Sequence, residues 1–80
     1  TEADREVLDG ITPETAGDWL DRAYALQGTG DWAGAFAAAD RAVELAPEES
    51  AAWANRGVYR FHMGDIEGAR ADLDKAVDLD

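Results

Sequence analysis

Apolar residues near the end of the chain recur at steps of three and four, the spacing of one face of an α-helix. Polar residues such as Glu67, Arg70 and Asp74 lie between them. This stripe consists of Ile66, Ala69, Leu73, Ala76 and Val77. An earlier stripe of the same kind consists of Trp32, Ala35, Phe36, Ala39, Ala42 and Val43. The pattern predicts amphipathic helices and an all-α protein.

Turn signals separate these helices. Each apolar stripe is directly preceded by a Gly-Asp pair, Gly30-Asp31 for the first and Gly64-Asp65 for the second. Glycine is typical of a helix C-terminus, and aspartate is typical of the cap of the next helix. Pro47 follows the first stripe and predicts its end, because proline has no amide hydrogen to continue a helix. Each stripe is therefore expected to be the second helix of a hairpin.

Capping signals predict where the first helix of each hairpin begins. Thr15 and Asp18 have the spacing of a capping box. Ser50 or a neighbouring residue is predicted to cap a helix that runs to about Met63. Four helices are therefore expected after residue 15.

The chain repeats itself with a period of 34 residues. "ITPETAGDW" (Ile11–Trp19) and "LAPEESAAW" (Leu45–Trp53) have the same order of aliphatic, proline, glutamate and tryptophan. Further matching pairs at this offset are Arg22/Arg56, Gly30-Asp31/Gly64-Asp65, Gly34-Ala35/Gly68-Ala69 and Ala42-Val43/Ala76-Val77. Matches this dense at one offset indicate a repeated structural unit.

The repeated positions resemble the tetratricopeptide repeat (TPR), in the form frequent in bacterial proteins. The first unit has Trp at its position 4, Ala at 8, Gly-Asp at 15–16, Ala at 20 and 27, and Pro at 32, and the likeness covers Ala16–Asp80. Leu26 and Arg60 depart from the large residue usual at position 11, and Ala39 and Leu73 from the aromatic residue usual at 24. The resemblance implies antiparallel helix hairpins stacked as a short right-handed α-solenoid.

The period divides the chain into an N-terminal segment, 1–15, a first repeat, 16–49, and a second repeat, 50–80, truncated at its C-terminal end. The N-terminal segment is interpreted as the remnant of an earlier helix. Two repeats are fewer than the three or so that a stable array needs. We therefore expect Ile66, Leu73 or Leu79 to be partly uncovered. Either further repeats of a longer array or a second copy in a homo-oligomer would cover them.

Charge and composition narrow the class of partner. The chain has 80 residues, with 7 Lys and Arg against 18 Asp and Glu, for a net charge of −11. Such a charge disfavours nucleic acid and anionic lipid. No apolar run approaches the roughly 20 residues of a membrane span, so membrane insertion is not expected. Cysteine is absent, which excludes disulfides; we expect a soluble protein of the cytoplasm rather than the periplasm.

Catalysis and cofactor binding have little support in the residues. His62, Ser50 and Lys75 are the only histidine, serine and lysine. A nucleophile needs an adjacent base, and no such spacing occurs. His62 and Asp65 share a helical spacing, but two ligands do not make a metal site. We expect no enzyme activity, no cofactor and no metal.

Two arginines occupy the same position of the repeat and are expected to face a partner helix. Arg56 is predicted to pair with Asp72 across its hairpin, because an unpaired guanidinium would be costly there. The first repeat has Ala38 at the corresponding position, so Arg22 needs another acceptor, and Asp40 is a candidate. For both arginines we expect an ion pair that stabilises the fold rather than a contact with a ligand.

The TPR resemblance implies a concave groove lined by the first helix of each hairpin, which holds a protein or peptide partner. The residues at groove positions are Leu20, Tyr24, Gln27, Ala54, Asn55, Val58, Phe61 and His62. Asn55 is a candidate to fix a peptide backbone through its amide. The alternative is that Tyr24 and Phe61 are covered by the N-terminal residues, by a neighbouring copy or by ordinary packing. Leu20 and Tyr24 replace the Lys and Asn with which some TPR domains clamp acidic chaperone tails.

Three functions remain open from the sequence. The first is a non-catalytic protein-interaction module that binds a peptide or helix in the groove. The second is a self-assembling structural unit that forms homo-oligomers through exposed helix faces. The third is a scaffold appendage of a larger enzyme.

Overall fold

The computed structural model describes residues 15–80, which form four α-helices and no strand. The helices are α1 (Ala16–Gly28), α2 (Trp32–Leu45), α3 (Ser50–His62) and α4 (Ile66–Leu79). The prediction of an all-α protein is confirmed. The proposed remnant of an earlier helix lies outside the described residues, apart from Thr15, which caps α1.

The helix boundaries repeat with the period of the sequence. The first residue of α3 lies 34 positions after the first residue of α1, and α4 follows α2 at the same offset. The equivalent helices also have equal lengths, 13 residues for α1 and α3 and 14 for α2 and α4. Residues 34 apart are therefore structural counterparts, and the word counterpart is used below in this sense.

The helices pack in the order of the chain. The most extensive contacts join α1 to α2 and α3 to α4, and each of these pairs forms a helical hairpin. A third contact joins α2 to α3 and holds the two hairpins together, while α1 touches α3 only lightly. The path of the chain thus places the first helices of the two hairpins, α1 and α3, beside each other.

Glycine and aspartate together make the turn within each hairpin, as predicted. Gly30 and Gly64 have φ values of 80° and 88°, a conformation that a Cβ atom disfavours because it would clash with the backbone. Asp31 and Asp65 then cap α2 and α4, each accepting a hydrogen bond of 2.9 Å from the amide three residues later. The same two-residue signal ends one helix and starts the next.

The start of α1 is capped as predicted, but the start of α3 lacks the expected side-chain cap. Thr15 Oγ1 accepts from the Asp18 amide at 3.1 Å, and Asp18 Oδ2 accepts from the Thr15 amide at 3.3 Å, which is a capping box. The cap predicted at Ser50 or a neighbouring residue falls on the neighbour, Glu49, but the side chain of Glu49 makes no capping bond, so the expected hydroxyl cap at Ser50 does not form. The Trp53 indole instead donates to the Pro47 carbonyl at 2.7 Å, which ties α3 to the preceding link.

The core is built mainly from alanine. One cluster of buried residues contains Ala23, Ala35, Ala38, Ala39 and Tyr59, and the other contains Ala16, Ala42, Val43 and Ala52. Half-buried tryptophans cover them: Trp19 packs on both clusters, Trp32 on the first and Trp53 on the second. Small residues let the helices approach closely, and the large residues around them fill the remaining space. Tyr59, the largest buried side chain, was not anticipated.

Gly57 marks the closest approach of α3 to α4. A Cβ atom on Gly57 would lie 3.0 Å from Leu73 Cγ and 3.1 Å from the Ala69 carbonyl oxygen, closer than most real Cβ contacts. The backbone oxygen cannot move aside as a flexible side chain can. Only glycine therefore allows this spacing without a shift of one helix.

The apolar stripe of α4 is only partly covered. Ala69 and Ala76 are buried, Leu79 is half-buried, and Ile66, Leu73 and Val77 are exposed. The expectation that part of this stripe is uncovered is confirmed. None of the four helices is long and apolar enough to cross a membrane.

A leucine in place of Gly57 is expected to lower the free energy of unfolding by about 1–3 kcal/mol, because the helices must separate to admit it. The matched control is Gly17→Leu, since a Cβ at Gly17 meets only Thr15 Oγ1, at 3.7 Å. That variant is expected to be neutral or stabilising by up to about 1 kcal/mol, because leucine is the better helix former. Urea denaturation followed by circular dichroism measures both, and equal effects would contradict the close approach.

Candidate functional site

The residues predicted to line a groove form two equivalent rows. Leu20, Tyr24 and Gln27 have the spacing of one face of α1, and their counterparts Ala54, Val58 and Phe61 have the same spacing on α3. Because α1 touches α3, the two rows lie on neighbouring helices.

Large apolar side chains in these rows are open to solvent. Tyr24 is 73% exposed and Phe61 58% exposed, and Val58 is exposed as well. Leu20 differs, since it is half-buried and packs against the cluster of Ala16 and its neighbours. The exposed large apolar side chains of the two rows are therefore Tyr24, Val58 and Phe61.

Asn55 is engaged within its own helix. Its Nδ2 donates to the Ala51 carbonyl at 2.8 Å, and the residue is half-buried. In the predicted role, the amide oxygen and the amide nitrogen of Asn55 both bond to a peptide backbone. The bond to the Ala51 carbonyl would then have to be replaced by one to the peptide.

His62 belongs to a group of aromatic side chains at the junction of α2 and α3. Its ring stacks on Trp32, with centroids 3.8 Å apart and an angle of 6° between the planes. Phe61 meets His62 edge-on at 5.9 Å, and Trp32 also lies 6.2 Å from Tyr59, whose pKa is raised by burial. The structure thus places Trp32 next to the predicted groove residues Phe61 and His62. Sequence reasoning assigned Trp32 to the core stripe alone.

A buried carboxylate organises the charges within the second hairpin. Asp72 is 2% exposed and accepts two hydrogen bonds from Arg56, at 2.9 Å from Nε and 2.8 Å from Nη2. Arg60 adds a bond of 3.0 Å to the same carboxylate. The predicted pair between Arg56 and Asp72 is therefore confirmed, and the structure adds Arg60 to it.

Arg56 also joins the two hairpins. Its Nη1 donates to Asp40 of α2 at 2.8 Å, so one guanidinium bridges α2, α3 and α4. The hydrogen bonds with Asp72 raise the pKa of Arg56 above its ordinary value. Burial of the guanidinium lowers this pKa, and the bond with Asp40 raises it further. The guanidinium also lies 4.8 Å from the centroid of the Trp53 ring.

The prediction for Arg22 is wrong. Asp40, its candidate acceptor, pairs with Arg56 instead. Arg22 is exposed, and its guanidinium lies 5.7 Å from the centroid of the Trp19 ring. The two arginines share a repeat position but not an environment, because Asp72 is replaced by Ala38 in the first hairpin.

The residues weighed as a metal pair have structural contacts. His62 stacks on Trp32, and Asp65 caps α4. Within residues 15–80, no group of three or more His, Cys, Asp or Glu side chains is placed to hold a metal ion. The exposed apolar rows of α1 and α3 are therefore the candidate functional site.

Neither a scan of protein-family models nor a search of curated proteins finds a match to this chain. A function has to be inferred from the residues and geometry described above.

Truncation of Asp72 to alanine is expected to lower the free energy of unfolding by about 2–4 kcal/mol, because Arg56 stays buried with only Asp40 to pair with. Adding Arg56→Met to this variant removes the uncompensated charge, so the double variant is expected to be more stable than Asp72→Ala alone. Urea denaturation of the single and double variants measures the difference.

The control is Glu44→Ala, which breaks the exposed pair between Arg41 and Glu44. An exposed pair of this kind contributes at most about 1 kcal/mol. Simple additivity of Arg56→Met and Asp72→Ala would contradict the structural role of the pair.

Proposed function

We propose that this chain is a non-catalytic protein-interaction module that binds a peptide or a helix along α1 and α3. The observation that carries the proposal is the exposure of Tyr24 and Phe61 on these neighbouring helices. Aromatic side chains lose much apolar contact with water when a partner covers them, and they are enriched at the centres of interfaces. The bound segment would contact Tyr24, Val58 and Phe61 directly.

The fold we propose for the module is a TPR-like pair of hairpins, residues 16–49 and 50–80, stacked as a short right-handed α-solenoid. The exact 34-residue offset of the helix boundaries supports this arrangement. In stacked hairpins the small rotation between units makes one surface concave. The first helices, α1 and α3, would then line that surface, which is where the exposed aromatic side chains lie.

The chemistry of the surface indicates which segments it accepts. Its large side chains are apolar, and the predicted groove residues also include the amides of Gln27 and Asn55. An amphipathic helix or an extended peptide with two or three apolar anchors fits such a surface. The net charge of −11 favours a neutral or basic segment and disfavours nucleic acid and acidic peptide tails.

Alanine at both Tyr24 and Phe61 is expected to weaken peptide binding by at least about 30-fold, as loss of two anchors of about 1 kcal/mol or more each implies. The probe is a peptide selected on the wild-type protein from a displayed random library, labelled and titrated by fluorescence anisotropy. Circular dichroism is expected to show unchanged helix content, because both side chains are exposed.

The matched control removes two exposed apolar side chains from α4, Ile66→Ala with Val77→Ala, and should leave the affinity for the same peptide unchanged. Equal loss in both double variants would show that general surface apolarity is responsible. Retained binding after truncation of Tyr24 and Phe61 would overturn the proposed site.

A further inference from the structure

The second hairpin has an open face, most of which lies on α4, away from the exposed Tyr24, Val58 and Phe61. This open face is formed by Leu73, Ala76 and Val77 of α4 with Ala54 at its border with the α3 row, and it surrounds a shallow depression of about 310 Å³. Its lining is mainly apolar. Nothing in the described part of the chain covers it.

The counterpart of the open face on the first hairpin is covered. Val43 is 7% exposed, whereas its counterpart Val77 is 75% exposed. Ala39 is fully buried, whereas its counterpart Leu73 is exposed. The element that covers the first hairpin is α3, whose Ala52 and Tyr59 lie in the two buried clusters. The chain therefore contains one occupied and one unoccupied version of the same helix-docking surface.

The helix equivalent to α3 is α1, and its charges match the open face. In the occupied version, Arg56 of α3 donates to Asp40 of α2 at 2.8 Å. The counterparts of these two residues are Arg22 of α1 and Asp74 of α4, and both are exposed. Docking of α1 from another molecule in the manner of α3 would pair this arginine with this aspartate.

The sizes of the side chains match as well. In the occupied version, the large Tyr59 of α3 lies in one cluster with the small Ala39 of α2. Their counterparts are the small Ala25 of α1 and the large Leu73 of α4. The large and small partners have exchanged sides, so the space filled at this level of the interface stays nearly the same.

We propose that α1 of a second copy docks on the open face as α3 docks on the first hairpin, so that molecules associate head to tail. This contact uses different surfaces on the two partners. Each complex therefore keeps a free α1 at one end and a free open face at the other, and further copies can add.

One position distinguishes the two interfaces. Ala52 of α3 is fully buried, whereas its counterpart in α1 is Asp18, whose carboxylate accepts from the Thr15 amide at the start of its own helix. A carboxylate at this buried position of the contact costs desolvation. The intermolecular contact is therefore weaker than the contact within the chain and requires raised protein concentration.

Sedimentation equilibrium of the 80-residue chain from micromolar to millimolar concentration tests the assembly. The expected result is a weight-average mass that rises steadily past the dimer. A monomer throughout the range would overturn the proposal. A plateau at the dimer would also overturn it, because a closed pair of identical surfaces would then be the interface.

A charge exchange tests the interface itself. Arg22→Asp and Asp74→Arg should each lower the association constant by at least about tenfold, because each variant opposes like charges when it meets its own kind. An equimolar mixture of the two variants should recover association, since every contact between unlike molecules pairs an arginine with an aspartate. Failure of the mixture to recover would rule out this pairing.

The matched control is Asp78→Arg, which makes the same charge change on α4. The counterpart of Asp78 is Glu44, which pairs with Arg41 on its own helix. This variant should associate at least as well as the wild type, and a loss equal to that of Asp74→Arg would attribute the effect to net charge and overturn the pairing. Truncation of Tyr24 and Phe61 should leave association unchanged, which separates this contact from the proposed peptide site.

Discussion

The close approach of helices lined by alanine and glycine is the constraint on which the rest of this structure depends. Ala23, Ala35 and Ala39 are fully buried, and Gly57 has no room for a Cβ atom against α4. Such residues bury little apolar area each, so their main effect is to bring larger groups into reach. Arg56 can bridge three helices only because the helices around it lie this close together.

The same constraint moves large apolar side chains outward. A core filled by alanine has space for few of them, so Tyr59 is enclosed while Tyr24 and Phe61 remain in solvent. The exposed side chains of α1 and α3 form the proposed peptide site, and those of α4 form the proposed contact between copies. The buried small residues and the Arg56 pairs stabilise the fold, whereas both proposed contacts use the large exposed residues.

Predictions that rest on local geometry were the accurate ones. The capping box at Thr15 and the turns at Gly30 and Gly64 depend on backbone angles and hydrogen bonds within about four residues, so the sequence contains the whole cause. The pair of Arg56 with Asp72 also followed, because antiparallel helices of known length place these positions opposite each other. The hydroxyl cap expected at Ser50 does not form, since the bond from Trp53 to the Pro47 carbonyl, rather than a side-chain cap, ties the start of α3 to the preceding link.

The helices, their turns and the 34-residue period could be predicted from the amino-acid order, since they arise from spacing and local chemistry. Packing between helices sets the pairing of Asp40 with Arg56 rather than Arg22, and the stacking of His62 on Trp32. Packing also buries Val43 and leaves Val77, at the same position of the repeat, exposed. The reason is that identical residues at equivalent positions differ in what covers them, and a neighbouring helix is not part of the local pattern.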